Sequence, residues 1–209
     1  MDRRDPIAVL FSPGSRRRTA MAFGMWFFAP IGFFGFASWI AVPARVPVRE
    51  RGFSDIGPVG FVASITRGGI PGFAAAALML GRIGREPTAA TCLVCAPGVA
   101  YPYGTAGDRT VLFVDGSVAR SFMFGMCSRL HASTPELHPK LVRSTGAGFA
   151  SAVGRVGAVL GPMIVPLPAR ERNPAAAFQV GAGGFLTAGA LVFVLGVETE
   201  GKGLESLFR

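Results

Sequence analysis

Long apolar stretches alternate with short clusters of charged residues along the whole chain. A membrane-spanning helix needs about 20 mostly apolar residues. Six segments meet this requirement, at residues 19–42, 56–80, 88–107, 110–130, 144–167 and 174–197. The first has no charge between Arg18 and Arg45, and the last has none between Arg172 and Glu198. The pattern predicts an all-α membrane protein with six transmembrane helices.

The composition agrees with this pattern. Of 209 residues, 50% are hydrophobic and only 16% are charged, and the mean hydropathy is +0.46. Soluble domains average about 25% charged residues, so the deficit indicates that much of the surface faces lipid. We divide the chain into a basic cytoplasmic segment at 1–18, a six-helix transmembrane bundle at 19–197 and a cytoplasmic tail at 198–209.

The net charge of +9 would favour nucleic-acid binding in a soluble protein. Here the arginines flank apolar runs and form no patch interleaved with aromatic residues, so we expect no nucleic-acid partner. With six spans, both termini lie on one side, and the loops on that side carry more Lys and Arg than the opposite loops. This bias predicts that both termini are cytoplasmic.

Small residues are concentrated in the fifth predicted span. Gly157 and Gly161 are four residues apart, which in a membrane forms a small face for close helix packing. A lone Arg155 lies in the same stretch. The segment predicts helices that pack closely and slide or rock against one another.

Cysteine and histidine spacing predicts no metal site and no cofactor. Cys92 and Cys95 match C-x-x-C, but they lie in an apolar run without a second ligand pair. His131 and His138 have no zinc-type spacing to any cysteine.

Motifs at the span boundaries resemble those of a known family. The turn after the second span reads GRIGREP at 81–87, and the turn after the fourth reads PELHP at 135–139, followed by Arg143. The fifth span reads TGAGFASAVGRVGAVLGP at 145–162, and the tail reads ETEGKGLE at 198–205. Together they resemble the C-terminal six-helix half of major facilitator superfamily transporters, nearest to the metabolite:proton symporters that include aromatic-acid and nicotinate permeases.

This resemblance implies one half of the superfamily fold, working by alternating access. The expected cargo is a small organic acid, aromatic acids included, moved together with a proton. The expected partners are the lipid bilayer, an organic anion, a proton and a complementary N-terminal six-helix half. The expected location is a bacterial-type inner (plasma) membrane, with no enzymatic activity.

Charged residues at the cytoplasmic edge form the first set of candidate functional residues. The resemblance implies a charge network that locks the bundle and releases it in each cycle, made of Arg82, Arg85, Glu136, Arg143, Arg155 and Glu198. The alternative is that these are solvated helix ends that set topology. For Arg155, inside a span, we favour a structural or gating role over ligand contact.

Substrate contact is assigned to aromatic residues of the first span and to one arginine. Trp26, Phe33, Phe34 and Trp39 could stack on an aromatic carboxylate, or they could contact lipid and the protein core. Arg67 precedes the sequence GGIPG, which predicts a break in the second span. A broken helix beside a charge is a frequent place for a transport substrate site.

Two further charges lie inside the fourth span. Asp115 is a candidate for proton coupling, a partner for an arginine on another helix, or a charge that the helix tolerates. Arg120 is five residues further, so the two do not share one helical face. With Arg67 and Arg155, Arg120 makes an anionic substrate plausible.

Departures from the family pattern keep other hypotheses open. Cys127 stands where the family suggests tryptophan, and His131, Ser133 and His138 stand where it suggests tyrosines. A second hypothesis is therefore a truncated, non-transporting fragment or a split half that needs a partner. A membrane-embedded enzyme is a third, which would need a cluster of catalytic groups that the spans do not supply.

Overall fold

The computed structural model describes residues 6–40, 58–82, 88, 91–92, 95, 98–99, 103, 109–167 and 174–195. The helices are α1 (Pro6–Leu10), α2 (Arg16–Trp39), α3 (Pro58–Arg67), α4 (Gly69–Arg82), α5 (Arg109–Ser133), a 3-10 turn (Thr134–Leu137), α6 (Arg143–Ile164) and α7 (Pro174–Leu195). No strand occurs within these ranges. The prediction of an all-α protein is confirmed.

Within the described ranges, five helical stretches are long and apolar enough to cross a membrane: Arg16–Trp39, Val59–Met79, Thr110–Leu137, Arg143–Ile164 and Ala176–Leu195. They match the first, second, fourth, fifth and sixth predicted spans. The third predicted span, at 88–107, lies largely outside the described residues, although those described between 88 and 103 are helical. The chain is therefore an integral membrane protein.

The predicted break in the second span is confirmed. Helix α3 ends at Arg67 and α4 begins at Gly69, with Gly68 as a turn between them. Pro71 has no backbone N–H and cannot continue the hydrogen-bond ladder of α3. The hydroxyl of Ser121 on α5 donates to the carbonyl of Gly68 at 2.5 Å, which satisfies one acceptor at the break.

The N-terminal segment contains a helix that the sequence pattern did not predict. Leu10, at the end of α1, is buried, and the hydroxyl of Thr19 donates to its carbonyl at 2.9 Å. Helix α2 begins at Arg16, three residues before the predicted start at 19. The apolar count placed the boundary after the three arginines, but arginine has good helix propensity and extends the helix.

Helix α2 lies between α6 and α7, and glycines line both contacts. A Cβ atom at Gly157 would overlap the carbonyl of Phe27, and one at Gly161 would lie 2.7 Å from the carbonyl oxygen of Ile31. On the other side, a Cβ at Gly184 would lie 3.0 Å from the carbonyl oxygen of Phe28. We call this contact of α2 with α6 and α7 the glycine seam. It holds the three helices at backbone distance.

Helices α3, α4 and α5 form a second packed group. A Cβ at Gly72 on α4 would overlap the backbone of Ser121 on α5, so these helices also approach closely. Near the C-terminal end of α2, Tyr103 is fully buried against Phe36 and Phe178, and its hydroxyl donates to the carbonyl of Ile40 at 2.5 Å. Tyr103 therefore contacts both α2 and α7.

Side chains, rather than close backbones, join α2 to α5. The rings of Phe33 and Phe124 meet edge to face with centroids 5.7 Å apart, and Trp26 meets His131 at 5.0 Å. We call this contact the aromatic joint. It lies along one wall of the cavity described next.

Candidate functional site

A cavity of about 340 Å³ opens between α2, α5 and α6. Its wall is mostly apolar and aromatic, with one cation. The lining residues are Trp26, Pro30, Phe33, Phe34, Met126, Cys127, Leu130, His131, Ser151, Gly154, Arg155 and Ala158. Pockets that hold small molecules have volumes of about 300–1,000 Å³ and similar walls.

The local sequence explains why this space is open. On α2, large rings at 26, 33 and 34 alternate with Pro30 along one face. Across from them, α6 presents Ser151, Gly154 and Ala158, and these small side chains leave room for the rings. A Cβ at Gly154 would lie 2.6 Å from Cε3 of Trp26. The same small-residue face of α6 therefore forms the glycine seam and one edge of the cavity.

Trp26 is held in one orientation by a polar contact. Its Nε1–H donates to the hydroxyl oxygen of Thr134 at 2.7 Å, and the Thr134 hydroxyl donates to the carbonyl of Leu130 at 2.6 Å. The Nδ1 atom of His131 lies 2.8 Å from the carbonyl of Cys127, and the ring packs against Trp26. The indole face is thereby a fixed surface of the cavity.

The cation of the cavity is Arg155, on α6 opposite the aromatic joint. Arg155 is exposed, lines the cavity and also borders an apolar hollow with Val156, Val159 and Leu160. A guanidinium in apolar surroundings is a strong attractor for a carboxylate, because it binds two oxygens with paired hydrogen bonds. This cavity can hold a planar ring with an acidic group.

A second cation lies behind the cavity wall. Arg120 on α5 is only 7% exposed, and its Nε and Nη1 atoms are buried without a hydrogen-bond partner. Its guanidinium carbon lies 5.2 Å from the centre of the Phe33 ring and 5.8 Å from that of Phe124. Cation–π attraction is its principal described contact.

The structure brings three of the predicted substrate residues together. Trp26, Phe33 and Phe34 all line the cavity, whereas Trp39 and Arg67 do not. Trp39 is the last residue of α2, and Arg67 is the exposed last residue of α3. Asp115 is half-buried on α5 and does not line the cavity either.

The predicted cytoplasmic charge network is only partly within the described residues. Arg85 and Glu198 lie outside them. Arg82 is exposed at the end of α4, and Glu136 is half-buried in the 3-10 turn. Arg143 begins α6, and its Nε and Nη2 atoms are buried without a hydrogen-bond partner. Arg155 joins the cavity rather than the helix ends.

Sequence reasoning did not assign Met126, Cys127, Leu130 or His131 to the site. The signal was present, because Cys127 and His131 are four residues apart on α5 and share one helical face. Both were also noted as departures from the family pattern. Two of the positions at which the sequence departs from the family pattern, Cys127 and His131, therefore lie in the cavity wall.

Comparison with known proteins finds relatives that are named as transporters. The chain is 32% identical over 190 residues to a Bacillus subtilis protein named as a niacin/nicotinamide transporter, covering 90% of this chain and 46% of that protein. It is 30% identical over 199 residues to the niacin transporter of Acinetobacter baylyi, covering 95% and 44%. It is 28% identical over 195 residues to the 3-(3-hydroxy-phenyl)propionate transporter of Escherichia coli, covering 91% and 46%.

The chain thus spans slightly less than half the length of these relatives. No protein-family model matches it. The predicted resemblance is confirmed, and the relatives are transporters rather than enzymes.

Proposed function

The chain belongs to the major facilitator superfamily, corresponding to the C-terminal half of its transporters, and from this premise we propose that it binds small aromatic carboxylates for transport. The observation that carries the proposal is the cavity, where Trp26, Phe33 and Phe34 lie across from Arg155. Flat rings give stacking surfaces for an aromatic acid, and Arg155 supplies the charge for its carboxylate.

The aromatic-acid class also agrees with the relatives. The names of three similar proteins specify niacin, nicotinamide and a hydroxyphenylpropionate as cargo. Niacin and the propionate share an aromatic ring and a carboxylate, which are the two groups that the cavity accommodates. We therefore propose Arg155 as a ligand-binding residue, in addition to the gating role that its sequence context suggested.

A transport cycle requires an opposing surface, because the cavity is open on one side. We propose that a complementary N-terminal six-helix half covers that side and that the two halves rock around the substrate. In this arrangement the protein lies in a bacterial-type inner membrane with both termini cytoplasmic, and Arg82, Arg85, Glu136, Arg143 and Glu198 hold the cytoplasmic side closed. Asp115 is the proposed proton-coupling residue, so uptake should rise at acidic outside pH and Asp115→Asn should remove that rise.

The two tryptophans of the chain provide a direct binding test, since only Trp26 lines the cavity. In the purified chain with Trp39→Phe, nicotinate should change Trp26 fluorescence saturably. In the matched variant Trp26→Phe, the remaining Trp39 should not respond. Arg155→Gln should weaken nicotinate about tenfold or more, as expected for a lost charge-assisted hydrogen bond. An unresponsive Trp26 would overturn the proposed binding function.

The second candidate function is a fragment or split half without transport activity of its own. The observation that favours it is that the chain spans less than half of its relatives. Uptake of labelled nicotinate is measured in cells with this chain alone and in cells that also express a complementary half. Uptake only in the second case identifies a split half, and binding without uptake in both identifies a non-transporting fragment.

A further inference from the structure

We propose that Arg120 is a second, deeper carboxylate-binding residue and that the ring of Phe33 separates it from the cavity. This inference rests on the proposed function, because it concerns the same aromatic acid. It assigns Arg155 to the open side of the cavity and Arg120 to a closed position behind the aromatic joint. The two cations would then hold the anion in succession.

The burial of Arg120 is the first argument. An arginine inside a membrane protein usually has an acidic partner, a carbonyl or water, because an unpaired charge there is costly. Arg120 is 7% exposed, and two of its guanidinium nitrogens have no hydrogen-bond partner. Among the residues that the structure describes, no carboxylate is paired with it; Asp115 lies five positions earlier, on another face of α5. Within the described part of the chain, Arg120 therefore offers a charge and two donors that no carboxylate satisfies.

The depth of Arg120 is the second argument. It is near the middle of α5, which runs from Arg109 to Ser133. Substrate sites of transporters lie near the middle of the bilayer, where two bundles meet. Helix α5 meets α2 at this depth through side chains, so an anion could enter there without separating packed backbones.

The position of Phe33 is the third argument. Its ring lines the cavity and also lies 5.2 Å from the guanidinium carbon of Arg120. Phe33 therefore stands between the cavity and the buried cation, beside Cys127, which also lines the cavity and is close enough to interact with the charge of Arg120. A rotation of this side chain, together with Phe124, would expose the free donors of Arg120 to a carboxylate already attracted by Arg155. The substrate ring would replace the phenyl ring at the joint.

The first test compares benzoate with benzamide, which has the same shape without the charge. Binding of both to the purified chain is measured for wild type, Arg120→Gln and the exposed control Arg17→Gln. Arg120→Gln should weaken benzoate about tenfold or more while benzamide is unchanged, because only the carboxylate uses the charge. Arg17→Gln should change neither. If Arg120→Gln fails to fold, Arg120→Lys keeps the charge but not the paired donors, and benzoate should still weaken selectively.

The second test measures access to Arg120 without relying on ligand affinity. Phenylglyoxal modifies accessible arginines, and mass spectrometry of peptides gives the rate at each position. Arg120 should react much more slowly than Arg155 in the wild type. Phe33→Ala should accelerate Arg120 selectively, and benzoate should protect it. Phe23→Ala, on the same helix but outside the cavity wall and with no described contact to Arg120, is the matched control.

The outcomes separate the two proposals. Benzoate binding to the wild type that Arg120→Gln leaves unchanged overturns this inference and leaves the proposed function standing. Absence of benzoate and benzamide binding in the wild type overturns the proposed function and, with it, the substrate role of Arg120. Equal rates of Arg120 modification in the wild type and in Phe33→Ala would show that the Phe33 ring does not separate Arg120 from the cavity.

Discussion

Helix α2 makes two contacts of opposite character. With α6 and α7 it forms the glycine seam, where the backbones are so close that a Cβ atom on the glycines would collide with the neighbouring helix. Toward α5 it meets the aromatic joint, where Trp26 and Phe33 contact side chains across a wider gap. Close backbone packing has few alternative arrangements, whereas rings have several rotamers. The seam therefore suits a rigid unit, and the joint suits a surface that moves or binds a ligand.

The largest expected effect comes from filling the seam. Gly157→Ala would place a methyl group on the carbonyl of Phe27, which is backbone and cannot rotate away. We expect a loss of about 1–3 kcal/mol in the free energy of unfolding, the usual cost of overpacking. The measurement is denaturant unfolding of the purified chain in detergent.

Gly148→Ala is the matched control for that measurement. It lies on the same helix, and a Cβ there would meet nothing within 4 Å. Because alanine has a higher helix propensity than glycine, this variant should be as stable as the wild type or slightly more stable. Equal losses at both positions would show that the seam is no tighter than the rest of α6.

The seam was accessible from the sequence, and the joint was not. Gly157 and Gly161 recur at a spacing that places them on one helical face, and small residues in an apolar span predict close packing on physical grounds alone. The neighbours of Arg120 come from two helices, and one of them, Phe33, is far away in sequence. A helical period shows which residues share a face but not what that face meets.

The same limit explains the site predictions. Aromatic residues of α2 were assigned to substrate as a group, but a helix with rings on several sides cannot direct all of them to one cavity. Trp26, Phe33 and Phe34 line the cavity, and Trp39 lies beyond it at the helix end. Arg67 was assigned from its helix break, which is confirmed, yet the break leaves its side chain exposed elsewhere. Local sequence patterns predict the helices and the break, but which side chains line the cavity depends on how helices distant in sequence pack together.

An intermediate effect is expected from loosening the joint at one hydrogen bond. Thr134→Val removes the acceptor of the Trp26 Nε1–H and leaves that partly buried donor unsatisfied. Because this donor is only partly buried, we expect a loss of about 0.5–1.5 kcal/mol, the usual net contribution of one hydrogen bond. Unfolding in detergent measures it, with the tryptophan emission of the native protein as a local readout.

Thr134→Ser sharpens this test, because serine keeps the hydroxyl oxygen and removes only a methyl group. We expect near wild-type emission for Thr134→Ser and a shifted emission for Thr134→Val. A shift of the same size in both variants would indicate that packing, not the hydrogen bond, orients Trp26. The glycine seam should be unaffected in either case, so the loss should stay below that of Gly157→Ala.

The smallest effect is expected where the 3-10 turn meets the N-terminal end of α6. His138 is fully buried there, and a Cβ at Gly146 would lie 2.6 Å from its ring. Burial lowers the pKa of His138, the positive charge of Arg18 lowers it further, and a hydrogen bond with the Thr134 backbone opposes the change. The folded protein therefore favours the neutral ring more than the unfolded chain does.

The sign of the pH dependence follows from this direction. Above about pH 6.5, the usual pKa of histidine, both folded and unfolded chains hold His138 neutral and it contributes no pH dependence. As the pH falls below that value, the unfolded chain binds a proton that the folded protein does not, so stability decreases until the folded pKa is passed. The slope should stay below about 1.4 kcal/mol per pH unit, the limit for one proton.

Subtracting the unfolding free energy of His138→Gln from that of the wild type at each pH removes the contributions of other titrating groups. If the difference in unfolding free energy between wild type and His138→Gln does not change below pH 6.5, the folded protein accepts a proton on the ring as easily as the unfolded chain does. The ring would then be accessible to water, and the close contact between His138 and Gly146 would not persist in solution.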